Sequence, residues 1–434
     1  MPCASAVPAW PRPVRAAGPA TAVGSTMEGP HVSTDDAVYW DPYDPVLAQD
    51  PHPTFARLRE EVPIYYNEKH DFHLISRFDD CDRALHDWRT FRSGRGNILE
   101  LIKSGIELPP GTLIMEDPPS HDIHRKLLAR MFTPRRIAAL EPQVREYCSA
   151  ALDPLVGSDR FDLMAAVGTD LPMRVIGMLV GIPEADQVAF REATDSALRT
   201  EPGEKADFRG GATLSNESFN DYLDWRIEHP SDDIMTELLH AEFDDEHGVR
   251  RTLTRDEIVT YLTVVAGAGN ETTGRLIGWI GSILAKNPDQ RRELAADPLL
   301  IPNAVEEILR LEPAGPAIGR YVAADTEFHG TVVPAGSALL VLIAAANRDP
   351  RRVPDGDRFD IHRDIRHQLA FGYGLHFCLG ASLARLEGRI AMEELLKRFP
   401  AWDVDWDNAK LASTSTVRGW ESLPLIVGSS VPVA

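Results

Sequence analysis

One run of residues limits the fold more than any other. Thr254-Arg-Asp-Glu257 has the spacing of a capping box, in which the threonine hydroxyl and the glutamate carboxylate each satisfy an orphan amide at a helix start. The next strong breaker is Pro288, after Asn287. The helix between them spans about 30 residues and ~45 Å, enough to cross a whole domain. Its middle reads Val265-Ala-Gly-Ala-Gly-Asn-Glu-Thr-Thr-Gly274. Glycines and β-branched threonines are unfavourable inside a helix. A long helix that keeps so weak a centre is using it, because local rule-breaking concentrates at functional sites.

The rest of the chain reads as helices with a little strand. Ile64 to Ser76 alternates around a turn at 67–71 and predicts a hairpin at the edge of a small sheet. From Pro119 to about Pro288 the apolar spacing is mostly helical. Thr200 to Ser215, with Gly210 and Gly211, reads as a mobile polar loop. Another helix starts at Pro302 and ends before Pro313. Arg320 to Leu342 reads as short strands, with turns at His329-Gly330 and Pro334-Ala-Gly336, and a last helix runs from about Gly380 to Lys397. The expected class is mainly α with small β-sheets, in one domain over residues 31–434. Residues 1–30 are expected to be a disordered extension, since the first 26 are rich in Ala and Pro and lack the apolar core of a secretory signal.

Charge and cysteine content remove several functions. The formal charge of −21 over 434 residues disfavours contact with nucleic-acid phosphates. No stretch approaches the roughly 20 apolar residues that cross a bilayer, so no membrane anchor is expected. Cys3, Cys81, Cys148 and Cys378 are scattered, form no C-x-x-C pair and suggest a reducing cytoplasm.

Only Cys378 lies in a motif, Phe371-Gly-Tyr-Gly-Leu-His-Phe-Cys-Leu-Gly380. A thiolate that binds iron must be kept deprotonated and shielded. A position just before a helix offers it orphan N–H donors and the positive end of the helix dipole. Gly372, Gly374 and Gly380 let the backbone curl and aim amides at sulfur. The segment resembles the haem-binding loop of cytochrome P450 enzymes, F-G-x-G-x-H-x-C-x-G, and other motifs carry the resemblance from Asp117 to Cys378. Glu307-Ile-Leu-Arg310 resembles the family's E-x-x-R pair, and Arg358 in Gly356-Asp-Arg-Phe359 matches the arginine that locks onto it. Ala268-Gly-Asn-Glu-Thr-Thr273 resembles the central-helix signature. Asp117-Pro-Pro-Ser-His121 through Arg125 resembles D-P-P-x-H-x-x-x-R. Ala346-Asn-Arg-Asp-Pro350 matches a turn of the bacterial members.

The resemblance implies the P450 fold in a single haem domain and a non-covalently held haem b with Cys378 as the iron ligand. It implies that His121, Arg125, Arg320 and His376 bind the haem propionates, and that Phe371 and Gly380 shape the cysteine loop. Ala268 and Gly269 would leave room for dioxygen. Thr272 would hydrogen-bond the dioxygen and Glu271 relay protons, while the electron-rich thiolate favours O–O cleavage. The implied reaction is hydroxylation of an apolar small molecule, such as a steroid, terpenoid, fatty acid or polyketide. Electrons would come from a ferredoxin or flavodoxin and its NAD(P)H-dependent reductase, with Lys126, Arg130, Arg135 and Arg136 as docking candidates. Four segments would line the substrate pocket: Phe91 to Thr112, Asp186 to Tyr222, Ala314 to Ile318 and Ser413 to Val417. Leu99, Leu101, Ile102 and Ile106 would supply apolar surface.

Four other readings compete. A dinucleotide loop at Gly267 and Gly269 would have to follow a strand. A metal hydrolase built on His121 and His124 lacks an H-E-x-x-H run. A peroxide-driven enzyme or a non-catalytic haem-thiolate sensor would not need the Glu271–Thr272 pair.

Overall fold

In the computed structural model, residues 37–107, 109–198, 204–205, 216–412 and 416–428 are described. The N-terminal extension expected for residues 1–30 lies outside them, as does nearly all of the loop expected at 200–215.

The long helix spans Arg255–Lys286, 32 residues, and both halves of its capping box form. Glu257 N–H donates to Thr254 Oγ1 at 3.3 Å, and Thr254 N–H donates to Glu257 Oε2 at 2.7 Å. The helices Asp170–Val180, Ile301–Leu311 and Ala381–Arg398 pack against it. Leu262, Ile277 and Ile280 of the long helix meet Val175, Ile308 and Ile390 of these neighbours in the main apolar core. Each such side chain, fully buried, contributes roughly 1.5–3 kcal/mol.

The weak centre of the helix has two separate explanations. At Gly274 a side chain is excluded, because an added Cβ would lie 2.4 Å from the carbonyl oxygen of Gly168, where the Met164–Gly168 turn crosses the helix. Gly269 faces Ile176, and a Cβ there would come within 3.1 Å of that side chain. Its small size therefore answers a helix–helix contact. Ala268, one residue earlier, is exposed in the middle of an otherwise buried helix.

The expected hairpin is the pair Ile64–Asn67 and Phe72–Ile75. It forms the edge of a five-stranded sheet continued by Ala338–Val341, Ile318–Val322 and Phe91–Arg92. Leu339 pairs with Arg320 in this sheet, which fixes Arg320 on a central strand. Four smaller sheets complete the strand content among the described residues. No single helix among the described residues is long and apolar enough to cross a membrane.

A candidate haem-thiolate site

The last helix, Ala381–Arg398, begins just after Gly380, so Cys378 stands before its first turn. The loop ahead of it is tightly determined. Cys378 N–H donates to the Phe371 carbonyl at 2.9 Å, closing the loop on itself. Gly374 has φ +69°, and a Cβ there would lie 2.6 Å from the Leu85 carbonyl oxygen, so only glycine fits. The Phe371 ring lies beneath the Arg385 guanidinium, 4.5 Å from its centroid.

Cys378 combines two properties that a recess inside the protein reconciles. Its surface is accessible, unlike that of Cys81 and Cys148. Yet the surrounding protein desolvates it and pushes the thiol pKa up, opposed by the Gly380 amide, Arg125 and Arg385. Gly380 itself borders open space, since an added Cβ would meet nothing within 4 Å.

Four donors from three parts of the chain converge near this sulfur. His121 and Arg125 share a face of the Ser120–Ala129 helix. His376 lies two residues before Cys378, and the His121 and His376 rings are 4.4 Å apart. Arg320 is 2 % exposed on its strand, and its one hydrogen bond among the described residues goes to the neighbouring Gly319 carbonyl at 2.8 Å. Burial holds the Arg320 guanidinium down to about 10, against a nearby Asp117. The His376 imidazole is driven down to about 3, first by burial and then by Arg320, His121 and Arg125. Burial also lowers Arg125, opposed by Cys378. His121 Nε2 and His376 Nε2 are both buried without a hydrogen-bond partner. Buried cations and donors left this way cost several kcal/mol unless an anion meets them.

The acid–alcohol pair sits across the long helix. Thr272 Oγ1 donates to the Ala268 carbonyl at 2.9 Å, on the stripe that carries exposed Ala268. Glu271 is 8 % exposed and pairs with Arg275 at 2.9 Å.

The E-x-x-R motif is a buried core device. Arg310 donates Nε and Nη2 to Glu307 at 2.7 and 2.8 Å, and both side chains are almost completely buried. The expectation that Arg358 locks onto this pair is corrected. Arg358 points outward to Asp360 at 2.8 Å, and its side chain is 64 % exposed. The third partner is Arg363, whose Nε donates to Glu307 at 2.9 Å. Arg358 supplies only its backbone carbonyl, accepting from Arg363 at 2.9 Å and from Arg310 at 3.4 Å.

A cavity of about 250 Å³ brings all four expected pocket segments together, through Asn97–Glu100, Glu204, Pro316 and Ala317, and Thr416 and Val417. Residues 413–415 lie outside the described set. Leu99 lines this cavity, but Leu101 is buried, and Leu99 and Ile102 pack into the cluster around Trp40 and Phe55. Of the expected docking residues, Lys126, Arg130 and Arg135 are exposed, while Arg136 pairs with Glu237.

Neither the dinucleotide nor the metal-hydrolase reading finds support. A strand, Arg250–Thr252, does lead into this helix, but Gly267 and Gly269 lie well inside the helix and not at the strand-to-helix turn. Among the described residues no three His, Cys, Asp or Glu side chains gather to hold a metal ion.

An accessible cysteine just before a helix start, set beside clustered His and Arg donors, in a chain whose long central helix carries an acid–alcohol pair, defines a haem-thiolate protein. The chain belongs to the cytochrome P450 family. The family's cytochrome P450 model matches residues 212–416. The chain is 37 % identical over 387 residues to cytochrome P450 monooxygenase PikC of Streptomyces venezuelae, covering 87 % of this chain and 91 % of that protein. It is 36 % identical over 387 residues to vitamin D(3) 25-hydroxylase of Pseudonocardia autotrophica, covering 88 % and 94 %. The structure of cytochrome P450 CYP109Q5 from Chondromyces apiculatus superposes with a TM-score of 0.79 at 32 % identity, covering 91 % of this chain and 99 % of that one. The protein is a cytochrome P450 monooxygenase whose cofactor is haem b, and it works with an organic substrate, dioxygen and a redox partner.

The residues present fit that cofactor. Haem b carries one iron that accepts a thiolate and two propionates that need donors. The accessible Cys378, the Arg320 and Arg125 guanidinium groups, and the unpartnered Nε2 atoms of His121 and His376 are the matching set, with His121 Nδ1 turned to Asp122 at 3.1 Å.

Proposed function

We propose that Cys378 is the iron ligand and that His121, Arg125, Arg320 and His376 hold the propionates of the haem. The observation that carries this reading is the cluster of Arg320, Arg125 and the buried, unpartnered Nε2 atoms of His121 and His376 beside an accessible cysteine. The haem, when bound, supplies the dioxygen activation that side chains cannot perform alone. The chain's own residues bind, orient and protonate around it. The Gly380 amide and Arg125 favour the anionic sulfur. Phe371 and Gly380 shape the loop that presents it. Ala268 opens the middle of the long helix toward the recess, with Gly269 setting how closely the helix approaches Ile176.

Proton delivery falls to Glu271 and Thr272. The Thr272 hydroxyl is held on the Ala268 stripe, and Glu271 is one residue away, roughly 100° around the helix axis. A proton passed from the Glu271 carboxyl to the Thr272 oxygen reaches the side of the helix that carries Ala268. The pair supports a dioxygen-dependent hydroxylation and is superfluous to a sensor or a peroxide-driven enzyme.

The substrate is an apolar small molecule of the steroid, terpenoid, fatty-acid or polyketide kind, in line with a relative named for vitamin D(3) hydroxylation. The cavity bordered by Asn97–Glu100, Pro316, Ala317, Thr416 and Val417 would hold the substrate's outer part, since neither Cys378 nor Ala268 lines that cavity. Electrons come from a ferredoxin or flavodoxin with its NAD(P)H-dependent reductase, docking near exposed Lys126, Arg130 and Arg135. The haem domain runs over residues 31–434 and works in the cytoplasm.

The test is a ligand screen on the haem-loaded protein. Apolar compounds that seat beside the haem shift its absorption, and those hits are then incubated with a ferredoxin, its reductase and NADPH. Hydroxylated product is the expected outcome. Hits that bind but are never oxidised, in the presence of competent electron transfer, would overturn the catalytic reading.

A further inference from the structure

Arg275 is a buried guanidinium that the proposed reaction does not yet use. It lies one helical turn beyond Glu271, and its Nη2 is 2.9 Å from Glu271 Oε1. Its Nη1 donates to the Trp420 carbonyl, across 145 residues of sequence. The fork therefore joins a carboxylate in the middle of the long helix to the backbone of the C-terminal hairpin, the antiparallel pair Lys410–Leu411 and Trp420–Ser422.

The hairpin is seated on the helix at three positions along one face. Arg275 meets Trp420, Trp279 Nε1 donates to the Arg418 carbonyl at 3.2 Å, and Trp420 Nε1 donates to Ser282 Oγ at 2.9 Å. Gly419 has no side chain because the aliphatic part of Arg275 occupies that space, 2.7–3.0 Å from where a Cβ would be. The residues just before it, Thr416, Val417 and Arg418, line the 250 Å³ cavity. One short segment, from Thr416 to Trp420, thus touches both the cavity and the partner of Glu271.

We propose that Arg275 is a positioning residue for proton delivery, fixing the Glu271 carboxylate and tying it to the Trp420 carbonyl of the cavity-lining hairpin. This rests on the reading of Glu271 as part of the proton path. Glu271 and Thr272 occupy different stripes of the helix, so where the carboxylate rests decides whether it can reach the threonine side. A planar guanidinium that bridges the carboxylate and the Trp420 carbonyl sets that position in a way a flexible point charge does not. Because the second arm is on the hairpin, a ligand that presses on Val417 also bears on Arg275.

The experiment is a double-mutant cycle on the haem-loaded enzyme, with Arg275→Met, Arg275→Lys, Glu271→Gln and Arg275→Met/Glu271→Gln. Carbon monoxide spectra establish haem loading, and ligand titrations give affinity. Arg275→Met is expected to lower product turnover about tenfold with affinity changed less than about twofold, and Arg275→Lys to recover part of the loss. In the Glu271→Gln background, Arg275→Met should cost less than about twofold more, since a residue acting through another has nothing left to position. Hydrogen exchange of the resting protein should quicken at Trp420–Ser422 in Arg275→Met.

Independent, multiplying losses would overturn the proposal, as would normal turnover in Arg275→Met or unchanged exchange at the hairpin. If Arg275→Met fails to load haem, Arg275→Lys decides with the same readouts. Parental turnover and exchange in Arg275→Lys would then overturn the fork. If Glu271→Gln itself keeps full turnover, the assignment of Glu271 fails first, and that result is distinct from a failure of Arg275 alone.

Discussion

Arg363 closes a buried charge cluster on Glu307, its Nε 2.9 Å from Glu307 Oε1 across 56 residues of sequence. Glu307 also receives two bonds from Arg310 and one from the Asp360 amide at 3.1 Å. Breaking a buried pair leaves an uncompensated charge and costs about 3–5 kcal/mol. Glu307→Ala is expected to abolish or severely reduce haem loading. Arg363→Ala should lower the melting temperature of the loaded protein clearly, by about 1.5–3 kcal/mol of stability for a lost charged hydrogen bond. Arg358→Ala should stay within about 0.5 kcal/mol, because its side chain is largely exposed. Thermal melts at equal haem loading check the order, and equal losses at Arg358 and Arg363 would contradict the geometry.

Arg320 makes a prediction whose sign reverses with the cofactor. Among the described residues its buried guanidinium forms no ion pair, Asp117 acting only from nearby, so Arg320→Met should stabilise the haem-free protein. The same substitution removes a propionate donor, so haem should transfer to apomyoglobin at least about tenfold faster. Stability of the apoprotein and the rate of haem transfer are measured separately. Movement of both in the same direction would remove Arg320 from the propionate set.

Thr272 holds a hydroxyl on the accessible stripe of the long helix, 2.9 Å from the Ala268 carbonyl. Thr272→Ala should lower product formation by about 10–100-fold while NADPH consumption continues and appears as peroxide. Thr272→Ser should retain most of the coupling. The ratio of product to NADPH checks this, and an unchanged ratio in Thr272→Ala would count against its role.

Glu387 supplies the pH dependence. Complete burial raises its carboxyl to about 8, and Oε2 has no hydrogen-bond partner. The folded pKa is above the unfolded value, so the folded state keeps its proton over a range in which the unfolded chain has lost it. The stability this group confers is full below the unfolded pKa, near 4.5, and declines as pH rises through about 8. Glu387→Gln should flatten that decline, by a few kcal/mol at pH 8.5. Melting temperatures of the loaded protein at pH 6 and pH 8.5 decide it, and a parallel pH profile in Glu387→Gln would contradict a neutral buried carboxyl.

Much of this site was legible in the residues because the chemistry demands types at fixed spacing. The Thr254–Glu257 box announced the long helix, and the glycines around Cys378 announced a loop that a side chain would break. What local patterns could not reveal was which distant residue fills a shared position. Arg358 and Arg363 stand five apart in one irregular segment without a repeating period, so no local pattern tells that the first faces solvent and the second faces Glu307. Gly269 and Gly274 looked alike in sequence, yet one accommodates Ile176 and the other a carbonyl of Gly168. Arg275 was within reach of sequence reading, since an acid and a base at i,i+4 form a helix pair. Its second partner, Trp420, was not, because a contact 145 residues away leaves no local trace.

The central claim is that Cys378 ligates a haem iron, and the absorption spectrum of the dithionite-reduced protein under carbon monoxide tests it most directly. The account predicts a strongly red-shifted Soret band in the parent protein, lost in Cys378→Ala. A well-folded protein, produced with haem precursor, that binds no haem or keeps the same band without Cys378 would contradict it.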